Sequence, residues 1–187
     1  MLAKAIRYAT EMHLGQKRKH MQVQYIEHPL QVMQSVINDA QYGGCDVAAA
    51  IAVLHDVVED CCIGTSDTAR NVLYKEITDQ FGHDVQHGVF ELTNEYTRKR
   101  YPNWSREKRK AAELDRLKKI SDRGKVIKLY DRLANLQDTI KCSKTHKNFT
   151  ELFAKESWDL ACGLTSMDNT YIASHVMTLA TNLRDMI

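Results

Sequence analysis

Ala48-Ala-Ala-Ile-Ala-Val-Leu-His55-Asp56-Val-Val-Glu59-Asp60 decides the reading of this chain: an apolar run that ends abruptly in four ionisable residues. The run predicts a buried helix. On an unbroken helix His55 and Glu59 stand one turn apart, as do Asp56 and Asp60, so two short polar columns lie side by side. Burying such groups costs several kcal/mol unless a partner or a cation compensates, about as much as one tight cluster of good hydrogen bonds returns. Two readings follow from the stretch alone: a divalent metal site, or a core histidine bonded to its neighbour with the acids at a solvated helix end.

The surrounding composition sets the frame. A chain of 187 residues with 43% hydrophobic content and two prolines is long enough for one well-buried domain. Few aromatics and abundant Ala, Leu, Lys and Glu favour an all-α, single-domain helical fold. No apolar run reaches the roughly 18 residues of a membrane span, and the first residues lead straight into an amphipathic segment, so a cytosolic protein without a membrane partner is expected. Five cysteines, with Cys61 and Cys62 adjacent and no C-x-x-C pair, read as reduced thiols.

Working outward, apolar positions Leu2, Ile6, Ala9, Met12 and His13 predict a first helix, closed by Gly15 and followed by the basic loop Gln16-Lys17-Arg18-Lys19-His20. Pro29 fits the first turn of a helix from Leu30 to about Ala40, which puts His28 at a helix start. Asp46 is a candidate N-cap for the organising helix. After it, Ser66 or Asp67 caps a helix bearing Val72, Leu73 and Ile77. His83-Asp84 follows Gly82 and is read as a helix cap rather than a metal ligand pair. Residues 93 to 105 read as a mobile loop, and a charged helix starts near Ser105.

Lys125 to Asp138 predicts another buried helix, with Val126, Ile127, Leu129, Leu133 and Leu136 inward and Lys128, Asp131 and Asn135 on a second stripe. An aspartate in so apolar a helix needs a partner, either a salt bridge to Arg132 or Lys128 or a metal. The tail from Thr139 predicts two more helices packing outside the core. Basic residues crowd the segment from Arg98 to Lys128, which suits either a polyanionic partner or a solvated helix face. With only Tyr101 and Trp104 interleaved, a nucleic-acid partner is not expected.

His28, His55, Asp56 and Asp131 together offer two imidazoles and two carboxylates, a donor set for Mn, Fe, Co, Zn or Mg with positions left for water and substrate. Their order, His, His-Asp, Asp, resembles that of the HD phosphohydrolase superfamily. Gly15-Gln-Lys-Arg-Lys19, Tyr25-Ile-Glu-His28-Pro-Leu, Leu54-His-Asp-Val-Val-Glu-Asp60, Phe81-Gly82 and Lys128-Leu-Tyr-Asp-Arg-Leu-Ala-Asn-Leu136 are similar to the hydrolase domain of RelA/SpoT proteins and to the small alarmone hydrolases, metazoan SpoT-like ones included.

That resemblance implies an HD-domain core over residues 1–138, with 139–187 as helices packing on the same domain. It implies Mn(II), or another divalent transition metal, held by His28, His55, Asp56 and Asp131. Glu59 and Asp60 match the acidic pair that handles the attacking water. Arg18 and Lys19 match the pair that packs on the guanine and its phosphates, and Asn135 and Lys128 fall on the substrate side. No organic cofactor is implied. The implied reaction removes the 3′-pyrophosphate of guanosine penta- or tetraphosphate. An HD nucleotide phosphohydrolase of other specificity, a deoxynucleoside triphosphate hydrolase or NADPH phosphatase, is the alternative. A pocket that binds nucleotide without turnover is a third. The chain departs from the family at His20-Met-Gln-Val-Gln-Tyr25, where a Gly-x-Pro-Tyr stretch is usual, and at Tyr130, where alanine is usual.

Overall fold

A computed structural model of the chain describes residues 1–18, 21–62, 67–142 and 147–186. Among the described residues it is all-α, with ten α-helices and a single isolated bridge between Lys17 and Gln24. The chain divides into two compact units, Met1–Arg109 and Lys110–Ile187.

The first unit is built on α3, Asp46–Leu54, whose residues Ala48 to Leu54 are all buried. A helix that is apolar all round has no face to give to water, so neighbours must cover it on several sides. Helices α1 (Leu2–Met12), α2 (Glu27–Ile37) and α6 (His83–Leu92) do so. The alanines allow close approach, and Ile51 and Leu54 fill the gaps, each fully buried side chain of this size contributing about 1.5–3 kcal/mol. Gly88 of α6 marks the tightest contact, since a Cβ there would stand 2.4 Å from Ile51 Cδ1 and 2.7 Å from Cγ1. α5 (Asp67–Phe81) contributes only Ile77 and Phe81 to the core, and Val72, an expected inward residue, is exposed.

The expected single helix over residues 48–60 is two helices. α3 stops at Leu54, His55 and Asp56 form a turn, and α4 runs Val57–Cys61. Successive residues on an unbroken helix point about 100° apart. The turn brings the imidazole and the carboxylate to one place, with Asp60 N still donating to Asp56 O at 2.9 Å. The N-cap position of α3 belongs to Cys45 rather than Asp46, which is the first helical residue. His83 and Asp84 are exposed at the start of α6, as expected for a non-ligand pair, but the cap position is Gly82, at φ 89°, and makes no side-chain cap bond. Ser66 lies outside the described residues. The segment from Thr93 to Ser105 carries packed aromatics, Tyr96 stacking on Trp104 with ring centroids 5.7 Å apart.

α7 (Arg106–Leu117) leads into the second unit, formed by α8 (Asp122–Cys142), α9 (Lys147–Leu164) and α10 (Thr170–Asp185). Val126, Ile127, Leu129, Leu133 and Leu136 of α8 are buried, as their spacing predicts. α9 and α10 pack against each other and on α8, through Leu160, Ala161 and Leu164 and through Ile172, Val176 and Leu183. A Ser166–Asn169 capping box shapes the turn between them. No described helix is long and apolar enough to cross a membrane.

Candidate metal centre

His28 enters from the first turn of α2, its backbone fixed by Pro29 behind it, while His55 and Asp56 come from the turn after α3. Both imidazoles are buried and Asp56 nearly so. One ligand atom from each of the three residues lies within 4.8 Å of the others. Donors each about 2.0–2.2 Å from one ion stand no more than about 4.4 Å apart, so the three are close to the spread an ion requires.

The tautomer can be read from the partners. His55 Nδ1 lies 2.8 Å from the Ala52 carbonyl oxygen, which only accepts, so Nδ1 carries the proton. In the neutral ring Nε2 then presents a lone pair, and it faces Asp56 Oδ2 at 3.2 Å. His28 Nε2 is 3.7 Å from the same oxygen. The His55 Nε2 lone pair and the Asp56 carboxylate repel at this range unless a proton or a cation stands between them. Imidazole–carboxylate donors with one ring nitrogen anchored on a carbonyl suit a first-row divalent cation. The residues present therefore fit a metal.

Behind these three residues stands a layer whose role the sequence did not reveal. The Tyr25 hydroxyl donates to Asp56 Oδ2 at 2.8 Å, and its ring stacks on the buried His13 at 4.8 Å between centroids. Burial and the charges of Asp56 and Asp60 hold the Tyr25 phenol protonated, far above its ordinary range. His13 Nδ1 pairs with Gln16 Oε1 at 2.9 Å, and Gln16 reaches the Asp60 carbonyl at 3.4 Å. In the sequence His13 shows only as part of an apolar helix face. The signal for Tyr25 was available, three residues before His28 in the same motif.

The acidic pair diverges. Asp60 is exposed. Its carboxyl is raised above the usual carboxylate range, chiefly by partial loss of water and then by the Asp56 charge, against the Tyr25 hydrogen bond and the fields of His13 and His55. Glu59 turns to Asn94, whose Nδ2 donates to Oε2 at 2.8 Å and to Oε1 at 3.1 Å. The two side-by-side columns expected from an unbroken helix are therefore absent.

Arg18 lies over the Tyr25 ring, 5.5 Å from its centroid, in a loop held by Arg18 N to Val23 O and Tyr25 N to Gln16 O. Lys19 lies outside the described residues. On α8, Asp131 is buried and its two oxygens are met by Lys128 Nζ at 2.9 Å and Asn135 Nδ2 at 2.6 Å, the salt bridge to Lys128 being one of the two partners anticipated. Arg132, the other, points to Ser157 Oγ at 3.5 Å and lies over the Phe153 ring.

A family model described as HD domain matches residues 5–170 and so runs through both units. The chain belongs to the HD domain family. Dependence on a divalent metal accords with that membership and with the His28–His55–Asp56 group. This HD domain is 32% identical over 146 residues to guanosine-3′,5′-bis(diphosphate) 3′-pyrophosphohydrolase MESH1 of Xenopus tropicalis, covering 76% of this chain and 72% of that one. It is 31% identical over 143 residues to the protein of the same name from Homo sapiens, covering 76% and 71%. A solved structure, described as a metazoan ortholog of SpoT that hydrolyzes ppGpp and plays a role in starvation responses, shares the fold. Its TM-score is 0.77 at 21% identity, over 97% of this chain and 94% of that one.

Proposed function

We propose that this HD domain is a metal-dependent phosphohydrolase acting on guanosine 3′,5′-bis(diphosphate) and its pentaphosphate, releasing pyrophosphate from the 3′ position and leaving GDP or GTP. The observation that carries the reading is the convergence of His28, His55 and Asp56, with the His55 tautomer fixed, in a chain whose relatives bear that activity in their names. Mn(II) is the proposed ion, and Asp131 the proposed fourth ligand, on the strength of its motif position.

When bound, such a cation lowers the pKa of water from about 15.7 toward 7 and screens phosphate charge. The protein's own part is positional. Tyr25 and Ala52 hold Asp56 and His55 in their liganding orientation. Asp60, its carboxyl raised by partial loss of water and by the Asp56 charge, is proposed to take a proton from water, and Glu59 to orient that water. Arg18, with Lys19, Lys128 and Asn135, is assigned to the nucleotide side by the motifs they occupy. Residues 1–138 are proposed as the catalytic core and residues 139–187 as helices that support it. A cytosolic setting goes with the free thiols of Cys45, Cys61, Cys62 and Cys162.

The test is a product analysis: the purified protein with Mn(II) and, separately, ppGpp, pppGpp, NADPH and deoxynucleoside triphosphates. Pyrophosphate with GDP or GTP supports the proposal. Triphosphate from a deoxynucleotide, or monophosphate from NADPH, with ppGpp untouched, replaces it by the second specificity. Asp131→Ala is expected to abolish turnover, whereas Glu59→Gln and Asp60→Asn leave a measurable residue, since a positioned general base contributes about 10² to 10⁴ in rate.

A further inference from the structure

Glu59 is held at both carboxylate oxygens by a single residue. Asn94, just beyond the end of α6, meets it with two donor atoms in three contacts: Nδ2 to both carboxylate oxygens, and the backbone N to Oε2 at 3.3 Å. Asn94 is itself braced on both sides. Upstream, the buried Thr93 closes α6 through Thr93 N and Oγ1 on the Val89 carbonyl at 3.0 and 2.7 Å. Downstream, Arg70 of α5 donates to the Asn94 carbonyl at 3.1 Å and to Glu95 Oε2 at 2.8 Å, and Arg100 takes Glu95 Oε1 at 2.9 Å. Two arginines thus clamp the residue after Asn94 and, through it, the amide that faces Glu59.

An amide NH₂ donates and the carboxylate oxygens accept, so the contacts at both oxygens select one rotamer of Glu59. A glutamate without such a clamp carries rotamer entropy that must be lost at each turnover. We infer that Asn94 is the positioning residue for Glu59, presenting it to the reaction as a pre-oriented carboxylate, with the Arg70–Glu95–Arg100 bridge as its brace. This rests on the reading of Glu59 as part of the catalytic machinery.

The experiment is a double-mutant cycle on the full chain with Mn(II) and ppGpp, paired with thermal melts of the metal-free protein. Asn94→Ala is expected to lower kcat about tenfold to a hundredfold, part of what a positioned base supplies, with KM changed less than about threefold. In a Glu59→Gln background the same change is expected to cost nothing further in kcat. Glu59→Gln with Asn94→Asp rebuilds the hydrogen bond with donor and acceptor exchanged, so its melting temperature is expected to return toward the parent while kcat stays at the Glu59→Gln level. The inference is overturned if Asn94→Ala lowers only the melting temperature, or lowers kcat by the same factor in both backgrounds. A parental kcat in Glu59→Gln removes the catalytic reading of Glu59 and the inference with it. A normal loss there with no kcat effect of Asn94→Ala removes the inference alone.

Discussion

Two aspartates sit in apolar surroundings in this protein, and they are accommodated in opposite ways. Asp56 lies where a helix has been broken, and beside the ring of its neighbour His55 it is met from distant parts of the chain by the Tyr25 hydroxyl and the His28 imidazole. Asp131 lies inside an unbroken helix and is met by its own helical neighbours, Lys128 three residues before and Asn135 four after. The second meets a carboxylate with local pieces of one helix. The first draws two imidazoles and a tyrosine hydroxyl onto one carboxylate, a donor set suited to holding a cation.

The sharpest way to break this comparison is to remove a donor from the first region. His55→Ala is expected to abolish Mn(II) binding in calorimetry and to reduce turnover to background, a loss above about 10³, while the metal-free protein remains folded by circular dichroism. Retained metal binding would mean that these three residues are a hydrogen-bonded core cluster.

The converse test addresses the second region. Lys128→Met strips one partner from a pair whose side chains are 7% and 8% exposed. It is expected to cost about 3–5 kcal/mol in denaturant unfolding, because a buried carboxylate loses its compensating charge. Adding Asp131→Leu is expected to recover most of that stability, since apolar pairs replace buried ion pairs at little cost. Turnover is expected to stay lost in the double variant. Activity in that variant would end the proposal that Asp131 is a ligand.

The contrast also explains how much of the molecule was legible in the sequence. The i, i+3 and i+4 neighbours of Asp131 are visible in one line of text, and a salt bridge to Lys128 was among the partners anticipated. The apolar run of Ala48 to Leu54 announced a buried helix, and its helical spacing held. The break at His55 was not legible, because four residues spaced i, i+4 look the same whether the helix continues or turns, and a hydrogen bond from Asp60 N to Asp56 O survives in either case. Asn94 was not legible because its contact with Glu59 spans 35 positions, and Tyr25, although it stands in the His28 motif, meets its partner Asp56 only across 31 positions of tertiary fold.

Tyr25→Phe probes the layer between those extremes, removing one hydroxyl and keeping the ring that stacks on His13. Loss of an outer partner to a ligand typically costs about 10- to 100-fold in metal affinity or activity. A weakened Mn(II) dissociation constant in that range, with unfolding changed by less than about 1.5 kcal/mol, is expected from the single hydrogen bond lost. An unchanged affinity would show that Asp56 keeps its orientation without outside help, which would erase the difference between the two aspartates.

Asn135→Ala carries the smallest expected effect and separates two roles that the motif runs together. Asn135 is half-buried, so water can replace its bond to Asp131 Oδ1, and the stability cost is expected to be about 0.5–1.5 kcal/mol. If Asn135 serves only to hold Asp131, kcat falls and KM does not, and Asn135→Asp, which sets a like charge beside Asp131, is worse than alanine. If it touches the nucleotide, KM rises with kcat little changed, and the rise disappears for a substrate lacking the group it contacts. The first outcome keeps Asp131 within its local cluster, and the second makes the stripe on α8 a surface shared between support and substrate.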